Sequence, residues 1–517
     1  MTFEVPTGYN GPRLDDLGSA DQREETIDVR APFTGQPIGA VPARQPDDVH
    51  EAVNRARDAQ SDWAARPVEH RVAAIERFAS LVRTRREDLL DLVQLESGKA
   101  RYDALEEALD VEMTASYYGD TAADYLTPER HRGAVPVLTD ARQYRDPYGV
   151  VGFITPWNYP LTLAVSDALP ALLAGNAVVV EPAAETPHTA LYVAQLLHEA
   201  GVPPDVFQVV TGEGEIVGPP LIETVDYVNF TGSTAVGRTV AAQAGEHLVP
   251  VGLELGGKGP MLVREDAPLG RAVTGAVQGG FASAGQLCIS VERIYVHESR
   301  YEAFLDRLVE RVRGLSLGTS FDYRPDVGSM VSEEGVQKVT RHVDDAVEAG
   351  ATLLTGGRRR PDVGSLVYEP TVLADVPADS DVLTEETFGP VVTVTPVEDD
   401  EAALARANDT QYGLHGTVWT ADPEAGRRLA RQLECGTVSV NDVYISMWGS
   451  TGAPMGGKKE SGIGRRHGDE GFKKYTESQT VTVQRGHPLT PIPGVPNWVT
   501  ARVLSLYLRV ARRIGWL

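Results

Sequence analysis

Three side chains able to do carbonyl chemistry stand in settings that single them out. Cys288 lies in "GQLCIS", residues 285–290, and is one of only two cysteines in 517 residues. A lone cysteine is most often a small buried hydrophobe, and Cys435 in "LECGTVSV" reads that way. Glu254 in "GLELGGKGP" sits beside a glycine pair, where a carboxylate could serve as a general base. Asn158 in "GFITPWNYP" follows an apolar strand, where its amide N–H could face a developing oxyanion.

A fourth segment suits a phosphate. "FTGSTAVGRTV", residues 230–240, reads as a strand, a glycine turn and a helix start. Free N–H groups at that start, with the Ser233 hydroxyl, fit a pyrophosphate. The ordinary G-x-G-x-x-G dinucleotide fingerprint is absent.

In order along the chain, "TPWNYPL", "FTGSTAVG", "LELGGK", "GQLCIS", "EETFGPV" and "GGKKESGIGRRHG" resemble the motifs of the NAD(P)-dependent aldehyde dehydrogenase superfamily. The resemblance runs from about residue 30 to "YTESQTV" near 480, and within the superfamily leans toward bacterial succinic-semialdehyde dehydrogenases. It implies an α/β fold with a Rossmann-like cofactor domain, an α/β catalytic domain and a small β oligomerisation flap. The implied boundaries are 1–124 and 147–253 for cofactor binding, 254–469 for catalysis, 125–146 and 470–485 for the flap, and 486–517 for a C-terminal tail.

The same resemblance implies the roles. Cys288 attacks the aldehyde as a thiolate, Asn158 holds the oxyanion, and Glu254 activates the water that releases the acid. Ile154, Thr155, Pro156 and Trp157 line the cofactor cleft, and Gly214 and Gly218 admit the adenine side. Ser233 meets the pyrophosphate, Glu386 holds the nicotinamide ribose, and Phe388 packs nearby. NAD(P) is the cofactor, no metal is expected, and a homodimer or homotetramer follows. A catalytically silent homologue would have signalled itself by losing Cys288 or Glu254. A CoA-acylating variant commonly lacks the glutamate, so Glu254 argues for hydrolysis.

Two segments depart from the family pattern. Where a lysine usually reaches the adenosine ribose, "EPAAETP" places Glu181, and Ala184 replaces a common ribose-binding glutamate. A carboxylate accepts hydrogen bonds from ribose hydroxyls and repels a 2′-phosphate, so Glu181 favours NAD. The helix after Asn158 offers Ser166 and Asp167 where semialdehyde-specific relatives often carry an arginine. The loop after Asn441 supplies Tyr444, Met447 and Trp448, a wall that suits an uncharged aldehyde at least as well as succinic semialdehyde.

These residues need a frame. A hairpin is expected over 28–42, with "TGQP" as its turn. A helical block is expected from about Asp47 to Asp120, Val49, Ala52, Val53 and Ala56 repeating at helical spacing. From about 150, β-branched runs alternate with helical stretches, which predicts βαβ units in two successive α/β domains. "LTLAVSDALPALLAGNAVVV", residues 161–180, is interrupted by Asp167, Pro170 and Gly175 and reads as buried helix then buried strand, not a membrane span.

Charge narrows the class further. Seventy-three acidic against 48 basic residues give a net charge of −25, with only 7 lysines. Such a surface repels nucleic-acid phosphates and suits a high-salt cytoplasm. No N-terminal signal peptide is read, so a cytoplasmic location is expected. The tail combines a Pro-rich stretch, "HPLTPIPGVPNW", with a basic amphipathic helix, which is expected to pack on the acidic body or a neighbouring subunit rather than on a membrane.

Overall fold

The computed structural model describes residues 5–18, 25–135, 137–485, 493–513 and 515. Near the N-terminus β1 (Thr26–Arg30) and β2 (Pro37–Pro42) form an antiparallel hairpin. Four helices follow: α1 (Pro46–Ala64), α2 (Val68–Thr84), α3 (Arg86–Ser97) and α4 (Arg101–Leu126). In α1 the periodic residues Val49, Ala52, Val53 and Ala56 are all buried, the inward stripe of an amphipathic helix. Helix α3 ends at Gly98, in the left-handed region at φ +72°, and the turn delivers Lys99 into the interior.

By its contacts the chain divides into a large unit, 1–126 with 146–477, and a small one, 127–145 with 478–517. The small unit is built on β3 (Glu129–His131), β4 (Thr139–Pro147) and β18 (Thr476–Gln484), in the order β18-β4-β3, with a helix over Asn497–Arg513. On that helix Val503, Leu504, Leu506 and Leu508 stand exposed. Of the Pro-rich stretch at 487–498, residues 487–492 lie outside the described residues.

The large unit carries two further sheets. The first uses β5 (Val150–Thr155), β6 (Ala177–Pro182), β7 (Phe207–Val209), β8 (Tyr227–Thr231) and β9 (Val251–Glu254). The second uses β10 (Gly259–Val263), β11 (Val291–His297), β12 (Thr352–Thr355), β13 (Thr371–Ala374), β14 (Val391–Val397), β15 (His415–Trp419) and β16 (Thr437–Val440). A short strand β17 (Gly462–Ile463) returns to the first sheet and pairs antiparallel with β9, Gly462 opposite Glu254. The strand orders are β17-β9-β8-β5-β6-β7 and β12-β13-β14-β11-β10-β15-β16.

Strand β5 pairs in parallel with both β6 and β8, so the connections leave it in opposite directions. The crevice beyond the carboxyl end of such a switch point is where open α/β sheets bind ligands. All six residues of β6 are buried, as befits a parallel strand covered on both faces. Residues 161–180 become two short helices, α5 (Pro160–Val165) and α6 (Ala168–Ala174), and then β6. Among the described residues no helix is long and apolar enough to cross a membrane.

Candidate active site

A cleft of about 460 Å³ opens at that switch point. Pro156, Trp157 and Asn158 enter it from the end of β5, Ser233 from the turn after β8, and Glu254 from the last position of β9. Cys288 enters from the turn before β11, and Glu386 and Phe388 from the loop before β14. Eight residues singled out from the sequence thus share one cavity, though they come from both sheets.

The turn that carries Cys288 is tightly specified. Ser283, Ala284 and Gly285 all have positive φ, at 52°, 55° and 72°. At Gly285 a Cβ would lie 2.1 Å from the Gly389 carbonyl oxygen, so only glycine fits. Gln286, two residues before the thiol, braces this turn. Its Nε2 donates to the Ser283 carbonyl at 3.1 Å, and its Oε1 accepts from the Val331 N–H at 3.1 Å.

The Gln286 carbonyl accepts from Asn158 Nδ2 at 3.0 Å, which ties the amide to the turn that carries Cys288. Asn158 is held from behind as well, because Lys99 Nζ donates to its carbonyl at 2.7 Å. Lys99 is paired at 2.6 Å with Glu107, and both side chains are fully buried. The other Glu107 oxygen accepts from the N–H groups of Leu161 and Thr162, at the start of α5. One buried ion pair therefore fixes the segment on both sides of Asn158, with geometry that satisfies both charges.

Electrostatics distinguish the two reactive groups. Burial pushes the Cys288 thiol up to about 12, with Glu386 and Glu254 adding to it and Arg466 opposing. Burial raises Glu254 to about 7, against the pull of Lys474 and Arg466. A carboxyl near 7 is divided between acid and base at neutral pH, the condition a general base needs. Arg466 is itself buried, donates to Asp167 and leaves its Nη2 without a partner.

Glu181 lies on β6 opposite Ile154 and is 4% exposed. Its Oε2 has no partner, and burial raises it to about 8. A Cβ on Gly214 or Gly218 would stand 3.1 or 3.3 Å from its oxygens, so both glycines border it. Ser233 caps the helix Thr234–Glu246 by accepting from the Val236 N–H at 3.3 Å, its hydroxyl proton remaining for a ligand. Glu386 accepts from the Gly257 N–H at 2.7 Å, and Trp157 meets Phe388 edge-on at 5.6 Å. A buried carboxyl with an open oxygen, bare backbone and a helix start fit a dinucleotide with hydroxyl-rich sugars. Ile154 and Thr155, the last residues of β5, lead into the cleft.

Tyr444 and Trp448 line a second cavity of about 270 Å³, with Tyr159 and Glu106. Met447 packs instead against the core of the second sheet. Behind Trp448 its indole N–H donates to Asp110, and the Arg466 guanidinium stands 5.5 Å from its ring.

Lys99, Glu107, Gln286, Lys338 and Arg466 belong to this region without having been singled out from the sequence. Lysine scarcity was the available signal, since a chain with 7 lysines that buries one beside Asn158 uses it for something.

Comparison with known proteins agrees with the geometry. Residues 19–481 match the model of the aldehyde dehydrogenase family. A Mycolicibacterium smegmatis protein carrying the name succinate-semialdehyde dehydrogenase, NADP(+), is 45% identical over 97% of this chain and 96% of its own. The Escherichia coli succinate-semialdehyde dehydrogenase, NADP(+), is 36% identical over 88% and 93%. Among solved structures, a Bacillus cereus aldehyde dehydrogenase in complex with NAD+ superposes at a TM-score of 0.85, with 34% identity over 89% and 93%.

Proposed function

We propose, since this chain belongs to the aldehyde dehydrogenase family, that it oxidises succinic semialdehyde to succinate through an acyl-enzyme on Cys288. The carrying observation is the single cleft that holds the Cys288 thiol, the Asn158 amide and the Glu254 carboxyl. The thiol loses its proton to solvent and the thiolate adds to the aldehyde carbon, whose C=O electrons move to oxygen as the thiohemiacetal oxyanion. Asn158 Nδ2 and the Cys288 N–H then face the oxyanion. Loss of two electrons and a proton from that carbon leaves a thioester on Cys288. Glu254 takes a proton from water, whose oxygen displaces sulfur and releases the acid.

A bound nicotinamide dinucleotide supplies the two-electron acceptor. Ile154, Thr155, Pro156 and Trp157 would border it, Glu181, Gly214 and Gly218 would hold its adenosine end, and Ser233 its pyrophosphate. Glu386 would accept from the nicotinamide ribose, with Phe388 against Trp157. NAD(P) use is common to the family, and we favour NAD because burial alone governs Glu181, with no cation beside it to receive a 2′-phosphate. The NADP(+) in the names of the two relatives is the opposing consideration.

A second reading is an uncharged aldehyde. It rests on the Tyr444 and Trp448 wall, whose cavity has no lysine or arginine in its lining.

We assign residues 1–124 and 147–253 to cofactor binding and 254–469 to catalysis, supported by the two sheets of the large unit. The flap at 125–146 and 470–485 is proposed to join copies into a dimer or tetramer, in the cytoplasm; light scattering of the purified protein tests the assembly.

The function is tested by absorbance at the NADH wavelength, offering succinic semialdehyde and butanal, each with NAD and with NADP. Preference for the semialdehyde with NAD supports the first reading, and preference for butanal the second. No turnover of any pair overturns both.

A further inference from the structure

The second cavity contains two neighbouring carboxyls from α4 with different circumstances. Glu107 is committed to Lys99 Nζ and to two backbone N–H groups. Glu106 has neutral partners: it accepts from the Tyr444 hydroxyl at 3.1 Å and from Gln278 Nε2 at 3.4 Å. Gln278 Nε2 also lies 3.1 Å from the Tyr444 oxygen, so the three side chains form one cluster at the cavity wall.

The charged and titratable groups facing Glu106 are Asp103, Glu107 and Lys99 on its own side, and Tyr444 and Tyr159 across the cavity. The one cation among them, Lys99, is engaged by Glu107 and by the Asn158 carbonyl. The cavity wall is otherwise apolar and aromatic. Tyr159 of this wall directly follows Asn158, and Cys288 packs in one apolar cluster with Tyr159, Tyr444 and Trp448. An aldehyde reaching Cys288 therefore has this wall for its far end, where Glu106 is the carboxyl not paired with a cation.

We propose that Glu106 reads the charge at the far end of the aldehyde, through hydrogen bonds when protonated and through its charge when ionised. The inference rests on the reading of Cys288 as the nucleophile. Protonated, Glu106 keeps Tyr444 as a donor partner and turns its own O–H toward a substrate carboxylate. Ionised, it repels that carboxylate and attracts a cation. Burial and then Asp103 raise Glu106 to about 8, with Tyr444 and Lys99 opposing, so the change falls in the working range. This also accommodates succinic semialdehyde in a cavity without a free lysine or arginine.

The test compares kcat/KM for three aldehydes of like length: succinic semialdehyde, butanal and a trimethylammonium-capped butanal. Each is measured below pH ~7 and above pH ~9, bracketing the raised carboxyl. Effects of Cys288 and Glu254 are common to all three and cancel in the ratios. In the natural protein the semialdehyde-to-butanal ratio is expected to fall about tenfold with rising pH, and the ammonium-to-butanal ratio to rise. In Glu106→Gln both ratios become independent of pH.

Ratios that do not move with pH in the natural protein overturn the assignment without any variant. So does a Glu106→Gln protein that keeps the pH dependence. If butanal is turned over and the ratios stay flat, Glu106 alone is misassigned. If no aldehyde is oxidised, the reading of the Cys288 site fails and Glu106 falls with it.

Discussion

Arg466 donates through Nε to Oδ1 of Asp167 at 3.2 Å, joining residues 299 positions apart inside the large unit. Burial works to raise Asp167, but Arg466, Lys474 and His467 outweigh it and hold the carboxyl below its ordinary value. Its contribution to stability is therefore complete above the ordinary aspartate range and is lost as pH falls through the lowered value. Replacing Arg466 by Met strands a buried carboxylate and is expected to cost about 3–5 kcal/mol, read by urea unfolding at neutral pH. Combining Arg466→Met with Asp167→Leu is expected to restore much of the loss, and a double variant no better than the single one contradicts the pairing.

Glu254→Gln is expected to lower turnover by about 10²–10⁴-fold and to abolish the rise in rate as pH passes through 7. The sign follows from the role, because the base works ionised and ionisation increases with pH. Rapid mixing should then show a burst of cofactor reduction, and intact-protein mass should show an acyl group on Cys288. Absence of the burst, with the limb intact, would place the base elsewhere.

Asn158→Ala removes the amide proposed to hold the oxyanion and is expected to lower kcat by about 10²–10³-fold. Lys99→Met removes the group that holds the Asn158 carbonyl and also leaves Glu107 buried without its cation. Loss of both stability and kcat is expected from Lys99→Met, against loss of kcat alone from Asn158→Ala. Calorimetry beside steady-state kinetics separates them.

Glu181→Lys puts a cation next to Gly214 and Gly218 and is expected to shift the NADP-to-NAD ratio of kcat/KM upward by about tenfold or more. Glu181→Gln removes a charge that the carboxyl, raised to about 8, carries fully only above that pH, and should shift the ratio less and mainly in alkaline solution. Equal ratios in all three proteins would mean that position 181 does not meet the adenosine ribose.

What the sequence made legible were groups that act from the ends of β-strands. Asn158, Ser233 and Glu254 each follow or close a β-branched run, so a local pattern locates them at the crevice. Cys288 was legible by rarity and by its place in "GQLCIS". Ion pairs built across the chain were not legible. Asp167 read as a place where a cation was missing, and the cation arrives from Arg466, on the segment after β17. Lys99 likewise reaches Asn158 across 59 positions, and no local period encodes that meeting. Met447 read as cavity wall by its place in an aromatic loop, but it is absent from the lining of the cavity that Tyr444 and Trp448 share.

The contact between Gly285 and the Gly389 carbonyl has a mechanical meaning. Gly285 stands three residues before the nucleophile and Gly389 directly after Phe388, so the thiol's turn and the loop carrying Glu386 bear on one another with no side chain between them. Any side chain at position 285 would have to displace either the turn of Cys288 or the loop of Glu386, so neither can be reshaped by substitution at 285 without moving the other.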